Sequence, residues 1–182
     1  MGYDRQDELI YLAAVVRDAD LVVHPSDVRR TDALEVYLDG TFGQGTIKRI
    51  DEPSGDWRKA LDAATMPVLQ YVGVPGQVPA YGDPWGANPS LVYGRTRERH
   101  TKMKYRREGH TTIYEWAIKA YDRFPDRPTR LVPGKSLGLD VVVVDKDSAQ
   151  VPPAWMYWGP PFNGFKGCDA CSLGELILAD DP

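Results

Sequence analysis

The residues best suited to chemistry gather near the C-terminus, where Trp155, Tyr157, Trp158, Phe162, Asn163 and Phe165 surround Gly159-Pro160-Pro161. Flat rings stack on the axial C–H faces of a pyranose, and a few polar groups at the rim read its hydroxyls. Trp155, Trp158 and Asn163 are the first candidates for such a site. The competing reading gives a ring to the core: three apart on a strand, Trp155 and Trp158 face opposite sides, so that one is buried and the other free. A second stacking wall must come from elsewhere. Trp57 and Trp85 are available, with Tyr81 and Tyr93 as further options. Trp85, in Tyr81-Gly82-Asp83-Pro84-Trp85-Gly86, has no obvious core role and is preferred over Trp57.

Carboxylates offer two other chemistries. Glu35 and Glu115 can be read as the acid pair of a glycoside hydrolase, which needs two carboxyls about 5 to 10 Å apart in different environments. Nothing in the sequence provides that pairing, and a strand carboxylate is more often solvated or paired with Arg; the expectation is a chain that is not an enzyme. Asp18, Asp145 and Asp147, with Asp20 and Asp39, fall at turns and can together donate oxygens to Ca²⁺. Their plain role is turn formation, and no EF-hand spacing is present.

Cys168-Asp169-Ala170-Cys171 has the spacing of a redox or zinc knuckle, yet no second pair completes a four-cysteine site and no His follows for covalent haem attachment. A local disulfide and two reduced thiols stay open, with compartment deciding. His24, His100 and His110 have no partner spacing for a metal triad or a Ser-His-Asp arrangement. Arg95, Arg97, Arg99, Lys102, Lys104, Arg106 and Arg107 would make a positive face on a strand, ordinarily solvated, which could also attract an anionic glycan or phosphate.

The elements that must position these residues read as short strands. Glu8 to Arg17 is apolar at both parities, as for a strand covered on both faces, and Arg17 to Asp20 turns the chain into Leu21 to His24 as a hairpin. Ala33 to Asp39 alternates, with Leu34, Val36 and Leu38 opposite Glu35 and Tyr37, and Asp39-Gly40 ends it. Residues 51–94 are rich in Pro and Gly and read as a long insertion, holding a short helix over Asp56 to Ala64 and strands at Val68 to Val72 and Leu91 to Tyr93. His100 to Arg106 is a strand with one wet face. Glu108-Gly109 turns it into Thr111 to Ile118, where Tyr114, Trp116 and Ile118 share a side. A single helical turn is predicted over Lys119 to Phe124, and strands over Leu137 to Val144, Trp155 to Trp158 and Leu173 to Leu178. Roughly ten strands at these spacings suit a sandwich or barrel.

Composition bounds the rest. A chain of 182 residues, 42% hydrophobic, can bury one core, and a single domain over 1–182 is expected. A net charge of -4 does not supply the positive field of a phosphate binder, so nucleic acid is not an expected partner. No apolar run approaches the ~20 residues that span a bilayer, so no membrane span is expected. Met1 to Glu8 lacks the basic start and apolar stretch of a secretory signal. Ten tyrosines and five tryptophans leave rings over for a binding surface.

Four segments in order carry a resemblance: Glu8-Leu9-Ile10-Tyr11-Leu12-Ala13-Ala14-Val15-Val16-Arg17-Asp18, Asp32-Ala33-Leu34-Glu35-Val36-Tyr37-Leu38-Asp39, Tyr114-Glu115-Trp116-Ala117-Ile118, and Leu137-Gly138-Leu139-Asp140-Val141-Val142-Val143-Val144-Asp145-Lys146-Asp147. Leu173 to Leu178 is similar to a terminal strand of the same kind. Together they resemble the family 9 carbohydrate-binding modules and their relatives. That resemblance implies an all-β, antiparallel β-sandwich, immunoglobulin-like or jelly-roll-like, to which the sequence itself adds the long insertion and one or two short helical turns. It also implies a non-catalytic module binding an oligo- or polysaccharide, a sugar clamp with one wall and a hydroxyl-reading Asn before the last strand, and structural Ca²⁺. Such a module is expected beside other domains of a larger protein, in an extracellular or periplasmic setting. The chain starts at what looks like an internal strand, and residues 51–94 match no family pattern. The rival readings are a protein-interaction sandwich that has lost its sugar site, and a haem- or small-molecule-binding relative in which His24, His100, His110 or Met103 would converge on a pocket.

Overall fold

The computed structural model describes residues 1–24, 30–42, 68–75, 77–84 (as backbone), 101–123, 127–148, 150–160 and 173–180. Among these the chain forms β1 (Gly2–Asp4), β2 (Leu9–Arg17), β3 (Ala33–Asp39), β4 (Val68–Val74), β5 (Gln77–Pro84), β6 (Thr101–Glu108), β7 (Thr111–Lys119), β8 (Tyr121–Arg123), β9 (Arg127–Pro128), β10 (Ser136–Asp145), β11 (Ala154–Tyr157) and β12 (Gly174–Ile177). A four-stranded sheet runs β1-β2-β7-β6, and a six-stranded sheet runs β11-β10-β3-β4-β5 with β12 on the far end of β10. Every pairing is antiparallel. The fold is the all-β sandwich that the sequence predicts.

Side-chain alternation explains the core. Ile10, Leu12, Ala14 and Val16 of β2 stand in register with Ile118, Trp116, Tyr114 and Thr112 of β7, and Met103 of β6 pairs with Trp116. Leu34, Val36 and Leu38 of β3 stand beside Val143, Val141 and Leu139 of β10 and beside Gly73, Tyr71 and Leu69 of β4. These two inward faces form one apolar cluster. Fully burying each such side chain contributes about 1.5–3 kcal/mol.

β3 and β4 are also buried on their outward face. Tyr37, Val68, Val142 and Leu173 make a second cluster, and Ala33, Val72, Val74 and Val144 a third. The clean alternation of β3 therefore marks two different buried surfaces, one apolar and one mixed.

Four expectations change. β2 is covered on one face only: Tyr11 and Val15 are exposed while Ile10 is buried, because β2 is apolar at both parities but packs on the core with one. Leu21 to His24 forms no hairpin with β2. The Asp32 carboxylate takes the Val22 N–H at 2.5 Å, and the Thr31 hydroxyl accepts the His24 N–H and donates to the Val22 carbonyl, so side chains hold this segment. In place of a helical turn after Lys119, Tyr121 is buried and its strand β8 pairs with β9. Residues 68–84, read as part of an insertion, are β4 and β5 and extend the larger sheet from β3. The helix read over Asp56 to Ala64 and the strand over Leu91 to Tyr93 lie outside the described residues.

At Gly73 the two sheets leave no room for a side chain. A Cβ there would lie 2.5 Å from Cζ2 of Trp116 and 2.9 Å from Sδ of Met103. Overpacking of this kind costs roughly 1–3 kcal/mol. Gly73→Ala is expected to lower the urea midpoint with an unchanged m-value; an unshifted midpoint would show that the Trp116 ring moves aside freely.

Candidate functional site

The free edge of β10 is shared. β11 occupies its C-terminal half, Asp145 to Val142 against Ala154 to Tyr157, and β12 its N-terminal half, Ser136 to Leu139 against Ile177 to Gly174. Between them the chain turns away at Trp158. The Trp158 N–H still donates to Val141 at 2.9 Å, and the Gly159 N–H donates to Oδ1 of Asp140 at 2.6 Å. Asp140 is fully buried, so this turn is pinned from beneath by a carboxylate.

Three rings among the described residues stand at this edge. Trp155 and Tyr157 are in register with Val144 and Val142, which places them on the outward side of the sheet. Trp158 follows with opposite parity. A Cβ on Gly174 would lie 2.9 Å from Cζ3 of Trp158, so the indole rests on the Gly174 backbone. Trp155 is 48% and Trp158 61% exposed. The expected opposite facing holds, but neither ring enters the core, because β11 is an edge strand whose partner β10 already fills both faces. Trp155 and Trp158 thus do not face each other across one cleft.

On the outward side, Tyr157 adjoins a polar row that crosses the sheet. Val142 of β10 pairs with Tyr157 on one flank and with Glu35 on the other, and Tyr37 pairs with both Asp140 and Gln70. The Tyr37 hydroxyl donates to Oε2 of Glu35 at 2.7 Å, and Nε2 of Gln70 donates to the Tyr37 oxygen at 3.0 Å. Burial raises the pKa of Glu35, and the hydrogen bonds from Tyr37 and Gln70 offset part of that rise. Burial pushes the Tyr37 hydroxyl far up, with the Glu35 charge adding to it, so Tyr37 stays a donor at physiological pH. Tyr157 is likewise raised, by burial first and then by Glu35 and Asp140. The row is an ordered set of donors and acceptors beside two exposed rings.

At the other end of β11, Asp18, Asp32 and Asp145 each present a carboxylate oxygen within 4.8 Å of the other two. They rim a small hollow also lined by Leu21, Tyr114 and Met156. Asp32 is buried, and its oxygens accept the N–H groups of Val22 at 2.5 Å and Lys146 at 2.6 Å. Oδ1 of Asp145 is buried with no hydrogen-bond partner among the described residues. Burial raises the pKa of both Asp32 and Asp145; the Asp18 charge adds to each, as do Asp145 for the first and Asp147 for the second. Three crowded carboxylates with an unsatisfied oxygen fit a hard cation that takes oxygen ligands. Asp18 and Asp145 were named from the sequence; Asp147 is exposed and stands outside the trio, and its place is taken by Asp32. Asp32 gave no signal in sequence beyond preceding a strand.

Several other candidates come apart. Glu35 and Glu115 lie on the outward faces of opposite sheets, with the sandwich between them, so they do not form an acid pair. Met103 is core, while His110 sits at the far end of its hairpin with Nδ1 2.9 Å from the Ala19 carbonyl; they do not converge on a haem. Trp57, Trp85, Asn163, His100, Cys168 and Cys171 lie outside the described residues. Gln70 was missed: it is the one polar side chain in Val68-Leu69-Gln70-Tyr71-Val72-Gly73-Val74, and that isolation is its signal.

No protein-family profile matches the chain, and no curated protein matches it in sequence. Solved structures do match in shape. One is a family 9 carbohydrate-binding module from Caldicellulosiruptor kristjanssonii in complex with cellotriose, 17% identical, with a TM-score of 0.64 over 97% of this chain and 72% of that one. Another is such a module from the same organism in complex with glucose, 18% identical, TM-score 0.63, covering 97% and 73%. The fold is that of the family 9 modules.

Two outcomes follow from these charges. Millimolar Ca²⁺ is expected to raise the melting temperature of chelator-treated protein, and Asp145→Asn to remove that response; a melting temperature indifferent to Ca²⁺ would sink the cation reading. Because folding raises Glu35 above its ordinary 4.5, the folded chain keeps a proton the unfolded chain has released. Stability from this group is complete below that value and is lost as pH rises through the raised one. Urea unfolding at stepped pH should therefore show a shallower decline in Glu35→Gln than in the parent; equal slopes would refute it.

Proposed function

We propose that this chain is a non-catalytic carbohydrate-binding module that holds a glycan against Trp155 and Tyr157, with the half-buried Glu35 carboxylate, held in place by the buried Tyr37 and Gln70, reading hydroxyls. The observation that carries this is the juxtaposition at one sheet edge: two exposed rings on the outward side of β11, next to a hydrogen-bonded row of Glu35, Tyr37 and Gln70. A pyranose offers both apolar C–H faces and hydroxyls, and needs both kinds of surface within one ring's reach. The family 9 modules of the same fold were solved with cellotriose and glucose, which makes glucose-based oligosaccharides the first ligands to try.

The β11 surface sits on a rigid base. β10 is paired along both edges and Asp140 anchors the turn, so little ordering cost remains when a ligand settles. Trp158, with its ring on Gly174 and its other face in solvent, extends the apolar edge to the other side, and Asn163 and one of Trp57 or Trp85 complete the contacts in this proposal. As a binding module, the chain would serve a larger extracellular or periplasmic protein by holding it on its polymer.

Titration calorimetry with glucose, cellotriose and a broader glycan panel tests the proposal. Binding is expected, and Trp155→Ala and Tyr157→Ala should each weaken it about tenfold, or ~1.4 kcal/mol. Absence of heat with every glycan would overturn the reading, as would full retention of affinity in both variants.

A further inference from the structure

The polar row beside Tyr157 has a direction, and that direction fixes what a ligand must bring. Nε2 of Gln70 can only give protons, so the Tyr37 oxygen accepts from it at 3.0 Å, and the single Tyr37 proton goes to Oε2 of Glu35 at 2.7 Å. The chain of bonds runs from Gln70 through Tyr37 and ends on a carboxylate, a group with acceptor positions to spare and, when ionised, no proton to offer. Gln70 and Tyr37 are buried, whereas Glu35 is partly exposed. A ligand on Tyr157 therefore meets the accepting end of the row.

The rest of this face has the same sign. Tyr37 is in register with Asp140, while Gly138 stands between Asp39 and Glu175, so all three of these carboxylates lie on the outward side with Glu35. Asp39 and Asp140 are fully buried, where water screens their charge least. The strands β3, β4, β10, β11 and β12 contain no Lys, Arg or His to balance them. The Tyr157 hydroxyl is raised by burial and then by the charges of Glu35 and Asp140, so both fields reach the ring on which a sugar would stack.

We propose that Glu35 is the specificity-determining residue of the aromatic edge and sorts sugars by charge, preferring a protonated amine to a hydroxyl and a hydroxyl to a carboxylate. The ligand class this favours is a glucosamine polymer. Its rings keep the apolar C–H faces that suit Trp155 and Tyr157, and its ammonium groups can give Glu35 a charge-assisted hydrogen bond. An ammonium also favours the ionised form of Glu35 that burial disfavours. A uronic acid instead brings a carboxylate to a face that already holds several, and like charges set together weaken binding. This ranking rests on the carbohydrate-binding reading of the edge and adds the charge of the sugar to it. The competing explanation is that the net charge of -4 attracts any cationic sugar, with no particular residue responsible.

Calorimetry of the full chain at neutral pH with cellotriose, the fully de-N-acetylated glucosamine trimer and a glucuronate trimer of the same linkage separates the two. The glucosamine trimer is expected to bind about fivefold more tightly than cellotriose, and the glucuronate trimer about tenfold more weakly. Glu35→Gln removes the charge at nearly constant shape, so both ratios should collapse toward one, while Glu35→Asp, which keeps the charge, should keep the order. Glu115→Gln removes an equal charge from the exposed face of the opposite sheet and should leave the ratios at their parent values. An equal collapse in Glu35→Gln and Glu115→Gln would establish the net-charge explanation and overturn the proposal. Parent ratios retained in Glu35→Gln would overturn it as well, as would a parent that binds all three trimers alike. That last outcome leaves the carbohydrate-binding reading standing, whereas no heat with any of the three defeats both.

Discussion

The pairing of β3 with β10, dry on both faces, is the constraint from which the rest of this structure follows. Seven registered pairs join the two strands. Their inward side chains close the sandwich against β2, β6 and β7, and their outward ones are buried as well, so neither strand can slip by one residue without sending apolar groups and carboxylates to the wrong surfaces. Asp32, just before β3, accepts the Lys146 N–H just after β10, which locks the register at one end.

Fixing β10 in this way decides where the exposed rings go. Its remaining edge can be shared by two short strands only, and the crossing between them must satisfy its own backbone; Asp140 and the Val141 carbonyl do this for Gly159 and Trp158. Large apolar side chains on β11 then have no core left to enter. Exposed aromatics at an otherwise well-satisfied edge mark a surface kept for contact.

The two sheets divide the electrostatics between them. The six-stranded sheet buries Glu35, Tyr37 and Gln70 in a connected row, where each polar atom costs energy unless paired. The four-stranded sheet leaves its β6 cations in water, where isolated charges cost little. The acidic trio at the β11 end is the exception, three like charges held close because Asp32 is also needed to hold the Val22 segment and the end of β10. A bound cation would relieve the repulsion without disturbing those backbone bonds.

The alternation of Ala33 to Asp39, the Gly109 turn between β6 and β7, and the apolar run of β10 were each legible in sequence, because periodicity and turn chemistry are local. So was the family likeness in fold, carried by those same strands. The aromatic cluster was legible as a set of rings, but not as two rings on one side and one on the other. Tertiary structure alone decided which face of β2 is covered, that Leu21 to His24 answers to Asp32 rather than to β2, and that 68–84 joins the larger sheet. It alone brought Gln70 to Tyr37 across 33 residues of chain and Asp32 into the trio in place of Asp147. The physical reason is common to all of these: hydrophobic pattern fixes the period of a strand, whereas its neighbours, and therefore the side chains it meets, are set by non-local pairing that no local pattern encodes.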